Sequence, residues 1–193
     1  MKRWGSLPHL LGFLLCGQVM ALEVPPAYQT VAEAEGVPPA LLYAIALTES
    51  GTPLDGRRVR PWPWTLNVAG NGERYPSRLA AWRALKRYLA SGITRVDVGF
   101  MQVNWAFHHR RLADPWRALD PWFNLAAGAR ILKEEYTRTA DWLTAAGRYH
   151  AGAPTTPARR RRAAAYRRKV AAWLQRISSA TIRVGQAAPP GRR

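Results

Sequence analysis

The pattern of apolar and polar positions predicts helices along most of the chain from residue 26 onward. Apolar residues recur there every three or four positions, in runs preceded by Pro, Ser or Asp and several of them closed by Gly, residue types that begin and end helices. The helices predicted in this way cover residues 26–35, 39–50, 78–90, 121–138, 141–152 and about 157–177. These segments indicate a mainly helical protein.

Two shorter segments have the composition of strands. Residues 64–68 are rich in β-branched and aromatic side chains, and residues 95–105 contain three valines beside Phe and Trp, so we expect the two segments to pair. Asn71-Gly72 predicts a turn after the first of them. The expected fold class is mainly α with a small β element, in one domain over residues 22–177, followed by a basic, disordered tail over 178–193.

One position in the second predicted helix conflicts with the apolar pattern. Leu42, Ile45 and Ala46 follow the i, i+3, i+4 spacing of a helix that is buried on one side. Extending that stripe by one turn places Glu49 on the buried face, where carboxylates almost never lie without a partner. Glu49 therefore requires either a structural partner or a chemical role.

Composition narrows the class of protein. Hydrophobic residues make up 48% of the 193 positions and nine are Trp, which excludes a wholly disordered chain. The formal net charge of +17 indicates an anionic partner, such as nucleic acid, acidic lipid or a cell-wall polymer. Charge alone does not distinguish among these three.

The first 21 residues have the pattern of a secretory signal. Lys2 and Arg3 precede a short apolar core at residues 10–15, and small residues at Val19 and Ala21 suit cleavage after Ala21. The core is too short to span a bilayer permanently, so we expect a periplasmic protein without a stable membrane anchor. The alternative is a buried amphipathic N-terminal helix.

Several classes of chemistry lack their motifs. Cys16 is the one cysteine of the chain and lies within the predicted signal, so cysteine ligands, nucleophiles and a disulfide framework are excluded from the mature protein. His108 and His109 are adjacent and do not share a helix face as an i, i+4 metal pair would. There is also no G-x-S-x-G and no phosphate-binding loop, so neither a metal nor a cofactor is expected.

Glu49 remains as the best candidate for chemistry. Asp120 and Asp141 precede helices and are explained as N-caps, whereas Glu49 lies in the last turn of a helix, where the macrodipole is negative. Burial and this dipole both disfavour the ionised carboxylate, as a general acid requires. The alternative, an error of one residue in the predicted helix phase, would leave Glu49 solvated.

Three segments around these residues resemble a known family. "ALTESG" at 46–51, "DVGFMQVNW" at 97–105 and "GRYHAG" at 147–152 resemble, in order, motifs of the lytic transglycosylases with a lysozyme-like soluble-transglycosylase domain. "PWPWTLNV" at 61–68, together with "GRYH", resembles more narrowly the members encoded with conjugation and type IV secretion systems. The resemblance implies a lysozyme-like α+β fold and covers most of the chain after the predicted signal.

The resemblance also implies roles for individual residues. Glu49 matches the catalytic acid and Tyr149 matches a tyrosine whose hydroxyl approaches that acid. His150 stands where Asn is more common. The positions implied to contact substrate are Ser50, Gly99, Phe100, Met101, Gln102, Asn104, Tyr149 and His150.

The implied reaction is a non-hydrolytic cleavage of peptidoglycan between N-acetylmuramic acid and N-acetylglucosamine. Ordinary glycosidases use two carboxylates, whereas this sequence offers one strong candidate, which favours a reaction without a water-activating base. The family resemblance implies that one residue acts as acid and then as base, forming a 1,6-anhydro end. The implied partners are peptidoglycan glycan strands and components of a secretion or conjugation apparatus, with the protein as a monomer.

Three alternatives to this reading differ in their chemistry. A hydrolytic muramidase of the same fold would need Asp55 or Asp97 across the cleft from Glu49. A nucleic-acid-binding accessory protein would use the basic run "ARRRRAAAYRRK" at 158–169, but the secretory signal argues against it and we expect no nucleic-acid partner. A wall-binding structural component would bind glycan strands without cutting them.

Overall fold

The structure is a computed structural model that describes residues 22–54 and 58–185. The predicted signal at 1–21, Asp55 and residues 186–193 of the predicted tail lie outside the described residues. Among the described residues, no helix combines the length and the apolar character needed to cross a membrane. The elements in chain order are α1 (Pro26–Glu35), α2 (Pro39–Ser50), β1 (Gly51–Pro53), β2 (Val59–Pro61), β3 (Thr65–Val68), β4 (Asn71–Arg74), α3 (Arg78–Ala90), β5 (Val96–Val98), β6 (Val103–Asn104), α4 (Trp105–Leu112), α5 (Pro115–Ala118), α6 (Pro121–Thr139), α7 (Trp142–Ala151) and α8 (Pro157–Gly185).

The fold class is confirmed: the chain is mainly α-helical with small antiparallel sheets. The predicted helix starts are also confirmed, because local capping determines them. Ser77 accepts a hydrogen bond from the Ala80 amide at the start of α3. Asp120 and Asp141 accept from the amides of Phe123 and Thr144 at the starts of α6 and α7.

Three local expectations were wrong or incomplete. The turn predicted at Asn71-Gly72 lies one pair earlier, because Ala69 and Gly70 both adopt positive φ and Asn71 already begins β4. Helix α8 continues past the expected end at residue 177, since no Gly or Pro interrupts it before Gly185. The short helices α4 and α5 were not predicted, although Asp114 before Pro115 is the same start signal as that of α6.

Helix α2 forms the centre of the domain. No residue from Leu41 to Leu47 is more than 4% exposed, so this helix is buried on all sides rather than along one stripe. Helices α1 and α8 and strands β1 and β2 pack around it. The one-sided burial expected from the sequence is therefore wrong, because "LLYAIAL" is apolar on every face and a helix of that kind occupies a core.

The larger sheet lies beside the end of α2. Its strand order is β4-β3-β5-β6, all antiparallel. Leu66 pairs with Val98, which confirms the expected pairing of the two strand-like segments. Strands β1 and β2 form a separate two-stranded sheet directly after α2.

Asn124 of α6 fixes the segment between β5 and β6. Its amide nitrogen donates to the carbonyls of Val98 and Ala118 at 2.9 and 3.0 Å, and its oxygen accepts from the Met101 amide at 2.9 Å. Gly99 adopts φ +79, and a Cβ there would lie 2.5 Å from the Asn124 side chain. The segment 99–102 (the β5–β6 loop) is thus held closely against α6.

We expect Asn124→Ala to lower the free energy of unfolding by about 3 kcal/mol, because three buried backbone groups lose their partner. Urea denaturation monitored by tryptophan fluorescence measures this difference. Thr137→Ala on the exposed side of the same helix is the control, with an expected change within about 0.5 kcal/mol. Similar values for the two variants would show that Asn124 does not hold the loop.

Candidate active site

Glu49 lies in the last turn of α2 with its side chain 13% exposed. His150 lies in the last turn of α7, and its Nδ1 is 3.7 Å from the Glu49 Oε1. This distance is longer than a hydrogen bond, so the carboxylate keeps acceptor capacity. Two helix ends therefore place an acid and an imidazole side by side.

Tyr166 of α8 is the third side chain beside Glu49, and it contacts the His150 imidazole. Its ring stacks on His150 with 4.4 Å between ring centroids and 8° between planes. The Tyr166 side chain is buried, and its hydroxyl forms no hydrogen bond of normal geometry with any described residue. Burial first, and then the nearby Glu49 carboxylate, raise the pKa of Tyr166 well above its usual value, so the phenol stays protonated.

Tyr149 precedes His150 on α7 and is directed toward the β5–β6 loop. Its hydroxyl donates to the Met101 carbonyl at 2.6 Å. Burial first, and then the charges of Glu49 and Asp97, raise the pKa of Tyr149 well above its usual value. Tyr149 is therefore a neutral donor that joins α7 to the loop and lies within electrostatic reach of Glu49.

Asp97 of β5 is the second carboxylate in this region. Asn104 donates to the Asp97 Oδ1 at 2.7 Å across the β5–β6 pair. Burial raises the pKa of Asp97, the Asn104 hydrogen bond partly opposes this shift, and the charge of Glu49 adds to it. The two carboxylates are thus close enough for the charge of Glu49 to act on Asp97.

Glu49, Asp97, Tyr149 and His150 line one cleft with a volume of about 600 Å³. Asn67 and Asn104 line it, and the side-chain oxygen of each is buried without a hydrogen-bond partner among the described residues. The wall and rim also include Gln102, Phe107, His108, Glu134, Glu135, Arg138, Arg148 and Arg159.

The structure brings together only some of the residues expected to form the site. Glu49, Gln102, Asn104, Tyr149 and His150 line the same cleft. Gln102 has a strained backbone with φ +47, and its side-chain nitrogen donates to the Gly99 carbonyl at 2.8 Å.

The other expected residues lie away from the cleft. Ser50 is 1% exposed and donates to the Phe100 carbonyl at 2.8 Å, so it ties α2 to the β5–β6 loop. Met101 is fully buried in the core. The Phe100 ring lines a separate aromatic pocket of about 360 Å³ with Tyr28 and Trp62, among others. Gly99 packs against α6 and gives the loop its path.

Tyr166 is the site residue that the sequence reasoning missed. It belongs to the apolar positions of α8, with Ala163 and Val170 buried on either side. A hydroxyl-bearing residue within an apolar helical stripe is the same kind of exception that identified Glu49. Searching every predicted helix for such exceptions would have found it.

The described part of the chain has no cluster of three or more His, Asp or Glu side chains that could hold a metal ion.

Comparison with known proteins identifies the family. Residues 26–175 match the model of the transglycosylase SLT domain, which is more than half of the chain. Searches of the curated proteins and of the solved structures found no match. The chain belongs to the transglycosylase SLT domain family and is an enzyme with a lytic transglycosylase domain that acts on peptidoglycan.

The two tyrosines of the site give a matched test of its hydrogen bonds. Tyr149→Phe leaves the Met101 carbonyl without its donor, and we expect the free energy of unfolding to fall by about 1 kcal/mol. The Tyr166 hydroxyl is buried beside the Glu49 carboxylate but forms no hydrogen bond of normal geometry with a described residue, so we expect Tyr166→Phe to cost less stability than Tyr149→Phe. Chemical denaturation of both variants checks this, and an equal loss in both would contradict the assigned bonding.

Proposed function

We propose that this SLT domain protein cleaves the MurNAc-β-1,4-GlcNAc bond without water, leaving a 1,6-anhydro-MurNAc end, and that Glu49 is its catalytic acid and base. The observation that supports this most is the position of Glu49, nearly buried at the end of α2 yet lining a cleft large enough for sugar rings. An acid in such a place is shielded from water but reaches the substrate.

In the proposed reaction, protonated Glu49 gives its proton to the glycosidic oxygen as the bond from that oxygen to C1 of MurNAc breaks. The oxocarbenium-like charge at C1 is stabilised by the acetamido group of the same sugar. The C6 hydroxyl then attacks C1, and its proton returns to the Glu49 carboxylate. The GlcNAc leaves with a free 4-hydroxyl, no water is consumed and Glu49 is regenerated.

The surrounding residues have roles that fit this sequence of steps. The side chains of Asn67 and Asn104 line the cleft together with Glu49 and would help to hold the C1 atom of the sugar near its carboxylate. The imidazole of His150 lies 3.7 Å from the Glu49 carboxylate and would help to hold the substrate beside it. Tyr149 would keep the β5–β6 loop in place through the Met101 carbonyl.

A hydrolytic muramidase is the second candidate function, and Asp97 is the observation that favours it. Asp97 lines the cleft and lies in the field of Glu49, as the base of an inverting hydrolase would. The hydrogen bond that its Oδ1 accepts from Asn104 occupies an oxygen that Asp97 would need in order to activate a water molecule. Asp55, the other carboxylate considered for this role, lies outside the described residues.

The location and biological setting are also proposals. The basic segment and apolar core within residues 1–21 support export to the periplasm with cleavage after Ala21. Removing Lys2 and Arg3 would change the formal charge from +17 to +15, which still favours the anionic wall. The resemblance of residues 61–68 and 147–150 to members encoded with conjugation and type IV secretion systems supports a role in opening the wall for such an apparatus.

Glu49→Gln should abolish glycan cleavage, with a fall in rate of about 10²- to 10⁴-fold, because Gln can neither give nor take back the proton. The measurement is release of muropeptides from purified sacculi, followed by mass spectrometry. Glu134→Gln removes another carboxylate from the same cleft and is the control, expected to stay active. Activity of Glu49→Gln comparable to that of the control would refute the role of Glu49.

Asp97→Asn distinguishes the two candidate reactions. Asn keeps an oxygen that accepts from Asn104, so a transglycosylase should retain activity within about tenfold of the wild type. Its products should remain lighter than hydrolytic products by one water. Loss of all cleavage in Asp97→Asn, together with reducing-end products from the wild type, would establish the hydrolytic alternative.

A further inference from the structure

A smaller pocket of about 160 Å³ is lined in part by the Glu49 and His150 side chains. It shares these two residues with the main cleft, so any group bound in it lies next to the proposed catalytic carboxylate. The remaining lining residues are Thr48 at the end of α2 and Arg162, Ala165, Tyr166 and Lys169 of α8.

Two cations of α8 form the outer wall of this pocket. Arg162 precedes Tyr166 by one helical turn and Lys169 follows it by about one, so their Cα atoms are about 10 Å apart along the helix. Both side chains are exposed, and neither forms an ion pair within residues 22–54 and 58–185. Both therefore remain able to bind an anion.

We propose that this pocket is a subsite for a carboxylate of the peptide stem attached to the muramyl sugar; this rests on the proposed function. The stem is linked through the lactyl group of the same sugar whose C1 atom is placed against Glu49, so it must leave the ring close to the carboxylate. Arg162 offers a planar pair of donors to a carboxylate and Lys169 offers a second positive charge. The pocket is small, which suits a charged side group rather than a further disaccharide.

The subsite would make the enzyme prefer strands that carry peptides. A single exposed charge pair contributes little to binding free energy. Two cations that bind the same substituent are expected to give a measurable preference for peptide-bearing strands. The remaining arginines of α8 would attract the anionic wall as a whole and would not distinguish one substituent from another.

The test compares two double variants that remove the same charge. Arg162→Gln with Lys169→Gln changes the pocket, whereas Arg161→Gln with Arg168→Gln changes exposed positions of the same helix that do not line it. The substrates are glycan strands with their stem peptides and the same strands after an amidase has removed the peptides. The measured quantity is the ratio of kcat/KM on peptide-bearing strands to kcat/KM on stripped strands.

We expect the wild type to prefer peptide-bearing strands, the pocket variant to lose about tenfold in this ratio, and the control variant to keep it. A ratio that stays the same in the pocket variant, or falls equally in both variants, would overturn the proposal. Co-sedimentation of each protein with both kinds of strand provides a second readout. If the wild type cleaves neither substrate, the proposed function fails, and the binding ratio still decides whether the pocket takes the peptide carboxylate.

Discussion

Three hydrogen bonds from one buried amide determine the shape of the cleft. Asn124 joins α6 to both ends of the turn after β5, and Gly99 fits against it because no Cβ intervenes. Ser50 and Tyr149 then attach α2 and α7 to the same loop through the carbonyls of Phe100 and Met101. The elements that supply Glu49, Asp97 and His150 are thus held in register by bonds to a single short segment.

Burial of α2 gives the carboxylate its unusual setting. Because this helix is enclosed on all sides, its last turn cannot shift toward solvent without exposing core residues, and Glu49 stays at 13% exposure. His150 and Tyr166 place an imidazole and a phenol beside the carboxylate, with the His150 Nδ1 3.7 Å from the Glu49 Oε1. A carboxyl group that is held firmly at the edge of a cleft is suited to exchanging a proton with a substrate.

Two faces of helix α8 contribute side chains to the region around Glu49. Its apolar face packs Tyr166 beneath His150, while its outer face presents Arg162 and Lys169 beside the same carboxylate. Two cations of the basic run at 158–169 thus lie beside Glu49, where they favour an anionic substituent of the proposed substrate.

The sequence by itself determined most of the helices, most of their starting residues and the mainly α fold, and it identified Glu49 as the candidate for chemistry. Periodicity and capping are local, so Asp120 and Asp141 specify helix starts without knowledge of the rest of the chain. Only the tertiary structure decided which side chains meet. Tyr166 lies far from Glu49 in the chain and joins it because α8 packs across α2, while Ser50, next to Glu49, points into the core. Packing between helices that are distant in the sequence determines these side-chain positions, and a local sequence pattern does not predict that packing.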